Sequence, residues 1–361
     1  MRVRSGYLVA LLVAGALVAG IVRFGPALAL VIALGLPSAT PRAADARREN
    51  ITVPAAGRSL PADLYRPAKP QGALLLVHGL SRAGRRHPEL ARLAHLLARQ
   101  GQLVLVPEFE ELTAFRLSGG EVEEIRSALR HLGSLNAHVG IAGFSFGAGP
   151  ALIAAASIPG LRVAGSFGGY ADLRHVVTYI TTGAHTFGAQ RYVERQEEYN
   201  RWKLLALLLG FVEDPRDRGG LEIIAARRLA NPSGDTGAAE AALGREGQAV
   251  LALVRNRQEE RVAPLLAGLP AGAQQAIDRL SPLPAISRLS GRLLIAHGAG
   301  DDSIPFTESL RLAEAAGGRA RVAILRTFQH TGPRPLWESL SQRAQDGWSL
   351  FRLVDDLLAG D

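Results

Sequence analysis

The 361-residue sequence has no cysteine, which excludes disulfides, thiolate-held metals and a thiol nucleophile. Nucleophilic chemistry must fall to a hydroxyl, an amine or a carboxylate. Aromatic residues make up only 6 % of the chain and do not interleave with basic ones, as a nucleic-acid platform would require. Long blocks of like charge are also missing, so the formal net charge of +8 reads as a basic surface and no nucleic-acid partner is expected. What the chain does have is apolar material, 47 % of residues, enough for the core of one large α/β domain or two modest ones. The sequence carries no signal for oligomeric state.

No apolar run reaches the ~20 residues that span a bilayer without interruption. Residues 7–22 come nearest, behind the basic Met1-Arg-Val-Arg4, and after Arg23 and Gly25-Pro26 a second apolar run covers 27–36. Three readings of 1–36 as a membrane segment compete. A single uncleaved anchor would have Arg23 snorkelling and the following domain on the extracytoplasmic side. A signal peptide would be cleaved near Ala44-Asp45-Ala46. A hairpin turning at Gly25-Pro26 would return the domain to the cytoplasm, supported by Arg42, Arg47 and Arg48. A helix buried in the folded domain is disfavoured, because the segment has no polar face. Residues 37–50 read as a linker.

From residue 51 the pattern alternates. Residues 51–53 and 60–65 predict an opening hairpin, and 73–77 is a continuous apolar run, as in a strand buried on both faces of a parallel sheet. Residues 88–100 have helical spacing, 102–106 are a strand, 121–132 a helix, 137–142 a strand, and 162–167 another. After an interruption, strands at 292–296 and 322–325 flank a helix at 307–316, and a last amphipathic helix includes Leu350, Phe351, Val354, Leu357 and Leu358. Strict alternation implies an α/β fold, a mostly parallel, doubly wound sheet with helices on both faces. The interruption, about 176–290, predicts a largely helical insertion covering the sheet's edge. Its apolar stretch 204–212 is too short to cross a bilayer; it fits a buried lid helix or one that faces substrate or dips into a membrane.

The residues that could carry chemistry stand at the ends of these strands. Gly143-Phe-Ser-Phe-Gly147 joins an apolar strand to a small-residue segment, the setting for a serine on a tight strand-to-helix turn. A serine hydroxyl is a poor nucleophile until an imidazole takes its proton, and a carboxylate fixes that imidazole's tautomer. In chain order Asp301 follows the strand 292–296, and His330, the only one of nine histidines after Asp301, follows 322–325. Asp302 adjoins Asp301, and one of the two could simply cap the next helix; Asp301 is favoured. The oxyanion needs two N–H donors, for which Phe146 and Leu80 are the candidates, with Gly79 allowing close backbone approach. His78, Gly79 and Tyr170 are weaker candidates for contact with substrate, His78 having holding the loop as its alternative role. The basic run 81–87 and the acidic Glu108, Glu110 and Glu111 also lie on the carboxyl-end side, with solvated-loop and helix-start roles as their alternatives.

Leu64-Tyr-Arg-Pro67, the strand into His78-Gly79, Gly143-Phe-Ser-Phe-Gly147, His297-Gly298 with Asp301 and Ile304-Pro305, and the late His330 together resemble the α/β-hydrolase superfamily. The pattern is most similar to dienelactone-hydrolase-like and acyl-esterase-like members, over 51–167 and from 293 onward. The resemblance implies an α/β-hydrolase domain at 51–361, a Ser145–His330–Asp301 triad, an acyl-enzyme, and no metal or organic cofactor. Dienelactone hydrolases proper have a cysteine where Ser145 stands, so their substrate does not carry over. The expected activity is cleavage of a small-molecule or lipid-like carboxylic ester. The alternatives are transfer of the acyl group to an acceptor other than water, or a catalytically silent, membrane-tethered binding module of the same fold.

Overall fold

The computed structural model describes residues 23–35, 46–55, 57–326, 328–329, 332–333 and 340–359. Among the described residues twelve strands form three sheets: β1 (Ala46–Ala55), β2 (Arg58–Pro67), β3 (Gly72–Val77), β4 (Gln102–Pro107), β5 (Val139–Phe144), β6 (Val163–Phe167), β7 (Ala184–Phe187), β8 (Gln190–Val193), β9 (Arg292–Gly298), β10 (Ala320–Leu325), β11 (Phe328–Gln329) and β12 (Gly332–Pro333). Eight of them form one sheet in the order β1-β2-β4-β3-β5-β6-β9-β10. From β4 to β10 every neighbour is parallel; β2 runs antiparallel to both β1 and β4. The expected α/β architecture with a mostly parallel sheet is therefore present.

The apolar runs work because a strand sends successive side chains to opposite faces. In β3, Ala73, Leu75 and Val77 enter one core while Leu74 and Leu76 enter the other; in β4, Leu103 and Leu105 divide from Val104 and Val106 in the same way. Both cores are covered by helices, so alternation of polar and apolar residues would have left polar groups buried on one side. One face carries the helices Gly120–Leu135, Ala148–Ala155 and Thr307–Ala316, and the other Pro88–Arg99 and Leu340–Leu358.

Residues 23–35 differ from expectation. They form a helix that passes through Gly25-Pro26 without turning, which removes the hairpin geometry proposed at that dipeptide. Ala27 and Leu30 are each 1 % exposed and join the core with Leu353, Val354 and Leu357, while Arg23 pairs with Asp355 at 2.5 Å. The segment packs on the domain despite lacking a polar face, leaving Phe24, Leu28 and Ile32 half-exposed. No helix among the described residues is long and apolar enough to cross a membrane. The first apolar run, 7–22, lies outside the described residues. The expected linker is shorter than 37–50, since Ala46–Asn50 already pair with Asp63–Pro67 in the opening hairpin.

The insertion between β6 and β9 is helical apart from the β7–β8 hairpin. It lies over the carboxyl ends of the strands, not along the sheet's edge: Leu204 and Leu207 share a cavity with Leu80 and Phe146, which follow β3 and β5. Leu204 to Leu209 are all buried, so this apolar stretch is core and is not free to dip into a membrane. Arg201, 3 % exposed, donates to the carbonyls of Val254, Asn256 and Thr181 and thereby closes the ends of two insertion helices.

Beside the carboxyl end of β4, Asp63 in β2 is fully buried and accepts from Arg85 at 2.6 Å and from Arg48 at 2.9 Å. Arg85 also packs against Glu108, whose carboxylate takes the Arg85 backbone N–H at 3.0 Å. Of the basic loop 81–87, therefore, Arg85 is committed inside the protein and Arg82 and Arg86 are on the surface. Removing the carboxylate strands a buried guanidinium, so Asp63→Ala is expected to cost roughly 3–5 kcal/mol. The denaturant midpoint measures this, and a loss under about 1 kcal/mol would contradict the assigned role.

Candidate active site

β5 is buried along its length and ends at Phe144; a single turn, Ser145–Gly147, then leads into the helix Ala148–Ala155. To make that turn Ser145 takes φ = 51°, a left-handed conformation that L-residues other than asparagine and aspartate seldom adopt. The glycines around it have a steric reason. A Cβ on Gly143 would lie 2.5 Å from Ala148 Cα, and one on Gly147 would lie 2.1 Å from the carbonyl oxygen of His78. Neither contact is tolerable, so the turn closes only with glycine at both positions.

The loop after β3 abuts the same turn. A Cβ on Gly79 would stand 2.9 Å from Ser145 Cβ and 3.5 Å from its Oγ, so this backbone passes directly beside the serine. Leu80 follows Gly79 as Phe146 follows Ser145, and the two line one small cavity together with Asn200, Lys203, Leu204 and Ser303, among others. Two backbone segments thus converge on the serine's flank, the placement required of a pair of oxyanion donors.

His78 and Tyr170 do not face this space. His78 is 2 % exposed; its Nε2 accepts the Phe109 N–H at 3.1 Å, which leaves Nδ1 as the protonated nitrogen, 2.9 Å from the Gly79 carbonyl. Burial lowers its pKa further, keeping it neutral. It therefore fixes the Gly79 loop and has no group left for substrate. Tyr170 is fully buried, donates its hydroxyl to the Leu280 carbonyl at 3.0 Å, and packs its ring against Phe146. Its place is behind the site, as a support for Phe146.

Asp301 and Asp302 separate clearly. Asp301 is 3 % exposed, and its Oδ1 accepts the backbone N–H groups of Ser303 and Ile304, both at 2.9 Å. Its Oδ2 lies 3.4 Å from His297 Nε2, and a Cβ on Gly168 would sit 3.6 Å from that oxygen. The Asp302 carboxylate is less buried and meets Ser303 Oγ at 3.3 Å. A buried carboxylate held by two backbone donors is fixed in one orientation, as the acid of a triad must be. His330 lies outside the described residues.

Several residues that hold this site carried no sequence signal. The Tyr179 hydroxyl donates to the Asp301 carbonyl at 2.7 Å, and Asn200 Nδ2 donates to the Asp302 carbonyl at 3.0 Å, so the insertion pins the acid's loop from above. Glu308, fully buried, accepts from the N–H groups of Ala171 and Asp172 and fastens the loop after β6. It also meets His175 Nδ1 at 3.0 Å, and this bond raises the histidine's pKa.

His185 supports the same corner from beneath. Its ring stacks on Tyr192, meets Tyr179 and Phe306 edge-on, and lies 3.1 Å from Thr307 Oγ1. Burial lowers its pKa from 6.5 to about 4. Between those values the unfolded chain binds a proton that the folded one refuses, so stability is complete above pH 6.5 and drains away as pH falls towards 4. Denaturant midpoints measured across this range should fall more steeply for the wild type than for His185→Phe; parallel slopes would contradict the assignment.

No family model and no curated protein sequence matches the chain. Among solved structures, the esterase domain of a Rhodothermus marinus protein is similar at 16 % identity and TM-score 0.46, covering 85 % of this chain and 96 % of that one. Pyrococcus horikoshii acylaminoacyl peptidase is similar at 13 % identity and TM-score 0.47, covering 80 % of this chain, which spans only 38 % of the peptidase. The dienelactone hydrolase of Anabaena variabilis reaches 27 % identity over 36 % of this chain and 66 % of that one, at TM-score 0.33. With TM-scores below 0.5, the assignment rests on the chain's own sheet order, its one reversed inner strand and the strained serine at the end of β5: the fold is of the α/β-hydrolase type.

Proposed function

We propose that the chain is a serine hydrolase that cleaves a carboxylic ester through an acyl-enzyme. The observation that carries this reading is Ser145, held at φ = 51° with the Gly79 backbone against its side chain. Backbone strain at a partly exposed serine is maintained only where the surroundings over-determine it, and it concentrates at reactive positions. His330 takes the Ser145 proton as Oγ attacks the ester carbonyl, and Asp301 stabilises the imidazolium that results. The N–H groups of Leu80 and Phe146 receive the oxyanion, a contribution of about 10²–10³ in rate for each donor. His330 then protonates the departing alcohol and activates the water that releases the acid, so every step is a proton transfer or an acyl transfer within the chain's own residues.

Tethering to a membrane through 7–22, with the domain on the extracytoplasmic side, belongs to the same proposal; the basic start and the apolar run of the sequence support it.

Hydrolysis of an activated ester tests the roles. Ser145→Ala and His330→Ala are each expected to lower turnover by about 10⁴-fold or more, and Asp301→Asn by about 10³-fold. Asp302→Asn should lose less than about tenfold, because among the described residues its carboxylate bonds a neighbouring hydroxyl and no backbone N–H. Undiminished turnover in Ser145→Ala, or equal losses at the two aspartates, would refute the assignment.

A further inference from the structure

Eight large apolar side chains are exposed among the described residues, and four of them belong to two helices that pack together, the one over 23–35 and Leu340–Leu358. The other four, Leu135, Val193, Tyr199 and Ile223, stand on four different elements. Single exposures of that kind are ordinary, whereas a continuous apolar patch marks a contact surface. Phe24, Leu28 and Ile32 recur every fourth residue and are each half-exposed, so they share the helix face turned away from the buried Ala27 and Leu30. The patch crosses to the second helix through its rings: Phe24 lies 6.1 Å from Phe351, and Phe351 stacks at 5.4 Å on Trp348, which is 61 % exposed.

What lies before this helix in the chain says what covers the patch. Arg23 follows directly on the apolar run 7–22, with no linker between them. The helix is fastened to the domain near both ends, Arg23 to Asp355 and the Ala33 carbonyl to Arg92. At 1.5 Å per residue, Ile32 lies only about 15 Å along the helix from residue 22, so a bilayer that held the run would stand close beside the whole patch. Phe24, nearest the run, is also the residue that joins Phe351 and Trp348. Tryptophan, with an apolar ring and one N–H, favours the membrane–water interface. Arg23, its guanidinium 5.0 Å over the Phe24 ring, and the exposed Arg352, one turn after Trp348, place cations beside these rings, at the level of lipid phosphates. An apolar stripe flanked by arginine is the make-up of a helix that lies in the plane of the interface.

We propose that Phe24, Leu28, Ile32 and Trp348 form a docking face that sits on the headgroup–acyl boundary of a lipid bilayer, so that the domain is held against the membrane in one orientation and does not swing on its tether. The inference rests on the tether through 7–22 and goes beyond it, since the face belongs to the folded domain and half of its rings come from the last helix of the chain. Apolar burial, and not charge, holds the face in place.

Because the chain has no cysteine, a single introduced one carries a fluorescent label at a known place. The full chain is reconstituted into vesicles of equal parts phosphatidylcholine and phosphatidylglycerol, some of the lipid bearing a nitroxide near the top of its acyl chain. The label stands at Leu28→Cys, at Trp348→Cys or, as a reference on a helix of the other core, at Ile223→Cys, all exposed positions. Should Trp348→Cys fail to fold, Arg352→Cys takes its place. Labels at 28 and 348 should lose about half or more of their fluorescence to the nitroxide, since such a face sinks ~5–10 Å into the boundary, and the label at 223 should lose little. The quenching should persist at about 1 M salt, where charge attraction is screened within ~3 Å. Quenching that salt abolishes, equal quenching at all three sites, or quenching at 28 without 348 overturns the docking face. So do labels at 28 and 348 that neither the nitroxide nor aqueous iodide reaches, as a second copy seated on the patch would give, and labels that iodide reaches there as freely as at 223, as on a domain hanging free. Each of these leaves the tether standing, provided that the protein floats with the vesicles. A chain that does not float with them overturns both.

Discussion

The packing of the turn at Ser145 against the loop after β3 is the constraint on which the site depends. The His78 carbonyl occupies the place where a side chain on Gly147 would begin, and Gly79 presses its backbone on the serine itself. Each segment is in turn held from behind. His78 is locked by the Phe109 N–H, and Phe146 is backed by Tyr170, whose hydroxyl is tied to Leu280. The strain at Ser145 is small beside the packing that enforces it, which is how a conformation that a free chain would leave at once can persist in a folded one.

The insertion is as much a part of the site as the sheet. Tyr179 and Asn200 reach down from it to successive carbonyls of the acid's loop, and Lys203 and Leu204 roof the cavity beside the serine. Asp301 is oriented by its own loop through Ser303 and Ile304, and the insertion prevents that loop from moving. One segment therefore both fixes the catalytic carboxylate of the proposed triad and closes the small cavity against Leu80 and Phe146. Changes to the roof should be felt in the chemistry below it.

What the sequence made legible follows from short-range rules. β3 and β4 were readable because both faces of the sheet are covered and every residue must be apolar; the helix Thr307–Ala316 was readable from its spacing; the tight turn at Ser145 was readable because an apolar strand runs into small residues between two glycines. The misreadings share one cause, that burial by distant chain is invisible in local pattern. His78 and Tyr170 sit in motifs near the serine, yet Phe109 and Leu280 claim their polar atoms. Residues 23–35 look like membrane helix because no polar face is present, and the structure instead sinks Ala27 and Leu30 between two helices more than fifty residues away. Glu308 and Lys203 drew no attention, since a carboxylate or an ammonium on a helix is ordinarily solvated; only the fold shows one buried against backbone donors and the other facing a cavity.

The central claim is that Ser145 forms a covalent acyl intermediate. Mixing the protein with an activated ester, quenching in acid within the first turnovers and mapping the mass of its peptides tests this most directly. The account predicts an acyl group on the peptide that contains Ser145, its amount matching a burst of released alcohol, and neither burst nor adduct in Ser145→Ala. Steady turnover with no burst and no acylated peptide, or acylation of another residue, would contradict it.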